Sequence, residues 1–117
     1  IRRPPRSTLD RSSAASDVYK RQSVAYAVSK AGLNHLPRCL ARALAPDILV
    51  NCIAPGYLEG TLMSERLTEQ HRQRSVNESL LQKAASKEDI GRQTVEFCRT
   101  DTVTGQTLVI DSGRVLH

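Results

Sequence analysis

The chain of 117 residues is long enough for one small domain with a modest core, and 39% of its residues are hydrophobic, with one phenylalanine and no tryptophan. No stretch approaches the roughly 18 apolar residues of a membrane span and no apolar segment marks a signal peptide, so we expect a cytoplasmic protein with no membrane partner. Cys39, Cys52 and Cys98 stand far apart, which argues against a zinc knuckle or a redox pair and predicts no metal site.

A net charge of +5 would suit a nucleic-acid partner, so the position of the charge matters. Six of the 17 basic residues and two of the 12 acidic ones lie within residues 1–22, which leaves residues 23–117 with a net charge of only +1. No basic stripe with interleaved aromatic residues remains there. We therefore expect no nucleic-acid partner.

Residues 1–22 have an explanation in the genetic code. Residues 12–22 read SSAASDVYKRQ, the translation of a transposon-type sequencing adapter, and residues 1–8 read IRRPPRST, the translation of a flow-cell adapter. Two adapter pieces in the right order and frame are not expected by chance. We interpret residues 1–22 as adapter-derived, disordered and not native, and residues 23–117 as the protein domain.

The first predicted element is a helix over residues 26–45. Its apolar residues recur at steps of three and four, as on an amphipathic to largely buried helix: Val28, Leu33, Leu36, Leu40 and Leu44. Pro37 falls inside this pattern, where a proline removes a backbone hydrogen bond and costs about 3 kcal/mol. We therefore expect a kink at Pro37 or a helix broken in two.

Two short apolar runs predict strands over residues 48–54 and 106–111. The first run, ILVNCIA, is bounded by proline residues, and its continuous apolar character is typical of a strand buried on both faces of a parallel sheet. The polar residues 57–83 predict one or two exposed helices, and a capping-box-like start at Ser86 predicts a helix over 87–99. We expect the strands to be parallel neighbours with this last helix packed on them.

One pair of residues on the first helix could carry chemistry. Tyr26 and Lys30 stand four residues apart, so on a helix their side chains project from one face. An ammonium beside a phenol favours the phenolate, and such a tyrosine can give a proton to a carbonyl oxygen or take one from an alcohol. The spacing alone is a weak signal, because most such pairs are ordinary surface residues.

The surroundings of this pair make the signal specific. A strand that ends N-x-x-x-P-G follows the Y-x-x-x-K helix, and the chain closes with TGQTLVIDSG. With these motifs residues 23–117 resemble the C-terminal half of the short-chain dehydrogenases/reductases, nearest to 3-oxoacyl-carrier-protein reductase-like and pteridine-reductase-like members. The resemblance implies an α/β fold, the C-terminal half of a Rossmann-type doubly wound parallel sheet.

The resemblance also assigns the residues of a site. It implies that Tyr26 is the catalytic acid–base and that Lys30 tunes it and binds the nicotinamide ribose, so that both also contact the cofactor, NAD or NADP. Further cofactor contacts are implied for the turn after the first strand, at Pro55, Gly56, Leu58 and Thr61. This turn is one residue longer than the commonest form because of Glu59-Gly60. The polar residues 57–83 match the family's variable substrate-binding region.

Other parts of the family's machinery have no counterpart in residues 23–117. The catalytic serine would fall at Ser12 or Ser13, which we do not assign because both are adapter-derived on our interpretation. The glycine-rich phosphate loop, the residue that chooses between NAD and NADP, and the catalytic asparagine have no match. The closing turn reads Asp111-Ser112-Gly113 where the family usually has D-G-G, a difference that concerns packing more than chemistry.

The resemblance thus implies a fragment of an NAD(P)-dependent oxidoreductase that reduces a carbonyl or oxidises a secondary alcohol by hydride transfer. We expect its full-length parent to act on a small molecule and to form a homodimer or homotetramer. Two alternatives stay open, an epimerase or dehydratase of the same fold and a non-catalytic binding module. We expect the 117-residue chain itself to be inactive, because a dinucleotide needs the missing pyrophosphate-binding turn.

Overall fold

The structure, a computed structural model, describes residues 24–115. The predicted adapter-derived segment, residues 1–22, lies outside the described residues. Four helices and two strands follow one another in the order α1 (Val24–Leu44), β1 (Cys52–Pro55), α2 (Leu62–Glu65), α3 (Glu69–Asn77), α4 (Lys87–Arg99) and β2 (Thr107–Ile110).

Helix α1 runs through Pro37 without interruption, so the predicted break into two helices is wrong. Pro37 and Ala41 are the buried residues of this helix, and burial of the proline ring offsets part of the lost hydrogen bond. Ala41 lies beside Gly105, where an added Cβ would be 3.4 Å from the Cβ of Ala41. The C-terminal half of α1 therefore packs beside the entry to β2.

The rest of α1 is far less buried than its apolar pattern predicts. Val24 and Val28 are 79% and 64% exposed, and Leu33 and Leu36 are also exposed. Within residues 24–115, α1 buries only Pro37 and Ala41, so the prediction of a largely buried helix is wrong for this chain.

Strands β1 and β2 are parallel neighbours, as predicted, with Cys52 opposite Thr107 and Pro55 opposite Ile110. Strand β1 begins at Cys52 rather than at residue 48 because the residues before it bond to the segment before β2 partly through side chains, as where the Val50 N–H donates to the Thr104 hydroxyl at 3.0 Å. The side chain of Asn51 makes hydrogen bonds where backbone bonds between the strands would otherwise lie. It donates to the Val103 carbonyl at 2.8 Å and accepts from the Gln106 N–H at 3.1 Å.

The predicted burial of β1 on both faces is wrong within the described residues. Its residues are half-buried or, at Pro55, exposed, because the sheet described has only two strands. Helix α4 lies against β1, which confirms the predicted packing of the last helix on the sheet.

The polar segment between β1 and α4 forms two short helices, α2 and α3, in agreement with the predicted exposed helices. The segment closes on itself at its base, since the Ala85 N–H donates to the Tyr57 carbonyl at 2.8 Å and Leu58 bridges Ala85 in parallel. Ser86 then caps α4 by accepting from the Asp89 N–H at 3.1 Å, as predicted. We call residues 57–85 the excursion.

None of the helices in residues 24–115 combines the length and the apolar character that crossing a bilayer would require.

Candidate active site

Tyr26 and Lys30 lie together near the start of α1, as their spacing predicts. The Lys30 ammonium lies over the Tyr26 ring, 5.5 Å from the ring centroid. This distance is within the range of a cation–π contact, which draws a cation towards the face of an aromatic ring. Tyr26 is 36% exposed, so its phenol is accessible from solution.

The second set of predicted site residues lies at the carboxyl end of β1. Here the chain leaves the sheet through Pro55 and Gly56, and the Gly56 N–H donates to the Ile110 carbonyl of β2 at 2.9 Å. The carboxyl edge of a parallel sheet is where ligands bind in folds of this class. We call residues 55–61 the cofactor turn.

Gly56 is required by the neighbouring strand. A Cβ at Gly56 would lie 2.5 Å from the Cβ of Asp111 and 2.7 Å from its Cα, closer than such atoms approach in proteins. The absent side chain thus lets the cofactor turn pack against the residue that ends β2. The space that a side chain would occupy at Gly56 is taken by Asp111.

Leu58 offers a backbone donor within the cofactor turn. The Tyr57 carbonyl before it is used by Ala85, and the Leu58 carbonyl accepts from the Thr61 hydroxyl at 3.3 Å. The Leu58 N–H has no hydrogen-bond partner among residues 24–115. An N–H without a protein partner at the carboxyl edge fits the carboxamide of a nicotinamide, which accepts hydrogen bonds through its oxygen.

Thr61 uses its hydroxyl for the local backbone. It is the N-cap of α2 and accepts from the Ser64 N–H at 3.1 Å, while the Ser64 hydroxyl accepts from the Thr61 N–H at 2.9 Å. This reciprocal pair is a capping box. Thr61 therefore holds the exit of the cofactor turn, a role that its sequence position did not indicate.

Asp111 is a site residue that sequence reasoning missed. Its carboxylate accepts from the backbone N–H groups of Gly113 at 2.9 Å, Arg114 at 3.2 Å and Val115 at 2.9 Å. The turn that it stabilises has positive φ at Ser112 (58°) and Gly113 (76°). An aspartate directly before such a turn is the signal that could have identified it, because aspartate bonds readily to the backbone that follows it.

Tyr57 is a second tyrosine in the cofactor turn, and its electrostatics differ from those of a proton donor. Burial raises the pKa of Tyr57 above its ordinary value, and the nearby carboxylate of Glu59 raises the pKa further. A phenol in this environment holds its proton more tightly and is a poorer general acid. This direction disfavours Tyr57 as a proton donor.

A cavity of about 430 Å³ opens beside the carboxyl end of β2, between Asp111, Ser86 and Lys83. Among residues 24–115 no cluster of histidine, cysteine and acidic side chains could hold a metal ion.

Comparisons with known proteins agree with this architecture. The family described as Enoyl-(Acyl carrier protein) reductase matches residues 3–114 of the chain, a match that reaches into the segment 1–22. The dihydromonapterin reductase of Citrobacter koseri is 37% identical over 95 residues, which are 80% of this chain and 38% of that protein. The chain thus spans little more than a third of this curated relative.

Two solved structures show the same fold. One is FolM alternative dihydrofolate reductase 1 from Brucella suis in complex with NADP, with a TM-score of 0.68, 38% identity and coverage of 78% of this chain and 36% of that one. The other is a short-chain dehydrogenase from Leptospira borgpetersenii with bound NAD⁺, with a TM-score of 0.68, 31% identity and coverage of 78% and 35%. The chain belongs to the short-chain dehydrogenase/reductase family and has part of its Rossmann-type α/β fold.

Proposed function

We propose that the chain is the C-terminal part of a longer NADP-dependent reductase, the parent enzyme, whose substrate is a dihydropterin. The observation that carries the proposal is the Tyr26–Lys30 pair, with the Lys30 ammonium 5.5 Å from the centroid of the Tyr26 ring, in a chain 37% identical over 95 residues to a dihydromonapterin reductase. The NADP bound to the FolM structure from Brucella suis supports the choice of cofactor.

Reduction of a dihydropterin ring adds a hydride to carbon and a proton to nitrogen. The reduced nicotinamide supplies the hydride when it is bound. Tyr26 supplies the proton from its phenol, and the Lys30 ammonium stabilises the phenolate that remains. The same pair would protonate the oxygen of a carbonyl substrate, the reaction expected from the family in general.

The backbone of the cofactor turn would hold the nicotinamide end of the cofactor. The Leu58 N–H would bind the carboxamide, while Gly56 and Pro55 set the path of the chain away from β1. Thr61 would act indirectly, since its hydroxyl caps α2.

A second candidate function follows from the family that matches the chain. Its description, Enoyl-(Acyl carrier protein) reductase, favours an acyl thioester as substrate. The two candidates differ in the atom that receives the proton and in the shape of the substrate, so a direct comparison of substrates distinguishes them.

The test uses the parent enzyme, recovered by placing the sequence in its genome. We expect oxidation of NADPH with a dihydropterin and little oxidation with an enoyl thioester. Tyr26→Phe should lower turnover by about 10²–10⁴-fold, the usual contribution of general acid catalysis, and leave NADPH binding nearly unchanged. Tyr57→Phe removes a phenol from the cofactor turn but keeps the Tyr57 carbonyl that binds Ala85, so any loss of turnover should stay well below that of Tyr26→Phe. Wild-type turnover in Tyr26→Phe would contradict the assignment of the acid.

We also propose that residues 1–22 do not belong to the parent enzyme. The match to the Citrobacter relative covers 80% of this chain, which leaves an unmatched part of about that length, whereas the family match over residues 3–114 crosses the proposed boundary. The genomic sequence upstream of the codon for Ser23 is the measurement. An unbroken reading frame that encodes residues 1–22 would overturn the adapter interpretation.

For the parent enzyme we propose a cytoplasmic location and a homodimer or homotetramer. The three cysteines are free, as is usual in a reducing compartment. The exposed apolar residues of α1, such as Val24, Val28 and Leu36, provide surface that association between subunits would bury.

A further inference from the structure

We propose that Lys87 is a positioning residue for the cofactor turn, which it holds by binding the carbonyl oxygen of Gly60. The Lys87 ammonium donates to this oxygen at 2.8 Å, although the two residues are 27 positions apart. The inference rests on the proposed function, because it concerns the turn to which we assign the nicotinamide end of NADP.

The place of Lys87 in its own helix is unfavourable for a cation. Lys87 is the first residue of α4, directly after the N-cap Ser86. The start of a helix carries a partial positive charge, which favours the acidic residues found next, Glu88 and Asp89. A lysine at this position gains nothing from the helix dipole; its ammonium acts on the neighbouring Glu88 carboxylate and donates its hydrogen bond to Gly60.

Gly60 is shaped to receive this contact. Its φ of +67° is a conformation that other residues rarely adopt, and a Cβ there would lie only 3.0 Å from the Lys87 nitrogen. Gly60 is also part of the Glu59-Gly60 pair by which the turn exceeds the commonest family length. An added residue gives a turn more conformations, and a hydrogen bond at that residue restricts them.

The cofactor turn is thus attached on both sides of Leu58. On one side the Ala85 N–H donates to the Tyr57 carbonyl at 2.8 Å, and on the other Lys87 holds Gly60. Both attachments come from the junction between the excursion and α4. The Leu58 N–H lies between the two attached carbonyls, so Lys87 fixes the backbone from which the carboxamide contact is made.

The chain offers a matched control for Lys87. Lys83 lies four residues earlier in the same junction, and its ammonium makes no hydrogen bond or ion pair among residues 24–115. Substitution of either lysine by methionine removes one positive charge and keeps a long apolar side chain. A general effect of charge near the site would therefore appear in both variants.

The test measures backbone hydrogen exchange and NADPH binding in the parent enzyme. Without cofactor, Lys87→Met should accelerate exchange of the Thr61 and Ala85 amides, which are hydrogen-bonded on either side of Gly60 and Leu58, by roughly threefold to tenfold, the effect of losing one hydrogen bond. The dissociation constant for NADPH, measured by its fluorescence, should rise by a similar factor, while turnover at saturating NADPH stays near wild type. Lys87→Arg should bring both the exchange rate and the dissociation constant for NADPH back close to wild type, because arginine keeps a hydrogen-bond donor and a positive charge.

The inference is overturned if Lys87→Met has the amide exchange rates and the NADPH dissociation constant of wild type. It is also overturned if Lys83→Met changes both quantities as much as Lys87→Met does. Failure of the proposed function has a different signature. In that case the wild-type parent would not bind NADPH, while the exchange data would still show whether Lys87 holds the turn.

Discussion

At the scale of single residues, the candidate site depends on the missing side chain of Gly56 as well as on the Tyr26–Lys30 pair. Tyr26 and Lys30 are the proposed acid–base pair, and the cofactor turn has its shape because Gly56 carries no Cβ. The contact that this permits is between two backbone segments, β1 where it ends and Asp111 where β2 ends. A glycine to which the family resemblance assigns a cofactor contact is therefore also a packing residue.

Gly56→Ala tests this dual role through stability. The new Cβ would meet the backbone of Asp111, so we expect a loss of about 1–3 kcal/mol or more in the free energy of unfolding of the parent enzyme. Gly91→Ala is the control, because nothing lies within 4 Å of a Cβ at Gly91 within α4. That substitution should stabilise by up to about 1 kcal/mol. Urea denaturation measures both changes, and an equally stable Gly56→Ala variant would refute the packing role.

At the scale of elements, helix α3 is attached to the end of the chain by one carboxylate. The Glu78 side chain accepts from Arg74 on its own helix at 2.5 Å and from Arg114, after β2, at 2.8 Å. These hydrogen bonds, first that of Arg74 and then that of Arg114, hold the pKa of Glu78 below its ordinary value of 4.5. The contact joins the excursion to the turn that Asp111 caps.

The lowered pKa gives this attachment a pH dependence with a definite sign. The folded protein binds a proton at Glu78 less readily than the unfolded chain, so the stabilisation is present above the ordinary glutamate pKa of 4.5 and is lost as the pH falls through the lower, folded value. In thermal unfolding of the parent enzyme, the Tm of wild type should exceed that of Glu78→Gln at pH 6. The two Tm values should converge in acid.

Glu96→Gln is the control for this comparison, because Glu96 pairs with Arg99 on the same helix at 3.5 Å. It should show a smaller difference from wild type at pH 6. Since Glu78 is accessible to solvent, the effect of Glu78→Gln should shrink as salt is added. A gap between wild type and Glu78→Gln that widens towards acid would contradict the assigned sign.

The same elements show how far the sequence could predict the fold. The parallel pairing of the strands, the packing of α4 and the cap at Ser86 follow from local patterns, and all three are confirmed. The ladder role of Asn51 depends on hydrogen bonds to Val103 and Gln106, which are distant in the chain. Hydrophobic periodicity carries no information about such contacts, because it describes one element at a time.

The candidate site divides in the same way. The Tyr26–Lys30 contact was predictable because both residues lie on one helix, where spacing determines proximity. The contacts of Asp111 and Lys87 were not, since each depends on how separate segments meet. The apolar pattern of α1 predicted a helix face that needs burial. It could not predict that this face stays exposed within residues 24–115.

At the scale of the whole molecule, the described residues bury little apolar surface. Ala41 and Ala85 are the buried hydrophobic residues among them, while many large side chains are exposed. We therefore expect the 117-residue chain to self-associate and to show no turnover of NADPH. Light scattering and a dye that binds exposed apolar surface would measure association, with the parent enzyme as the control. A monodisperse chain with NADPH turnover would contradict this prediction.

The closure of the excursion has a consequence for how such a protein can change. Its two ends are joined by the hydrogen bond between Ala85 and Tyr57 and by the adjacent Leu58–Ala85 bridge, so the chain leaves and returns at one place. The entropic cost of closing a loop rises slowly with its length, by about 0.6 kcal/mol for each doubling. Insertions between α2 and α3 would thus cost little and would leave the positions of β1 and β2 unchanged. On the proposed function, mutation would change substrate contacts there, while the residues proposed for proton transfer and cofactor binding keep their places on α1 and the cofactor turn.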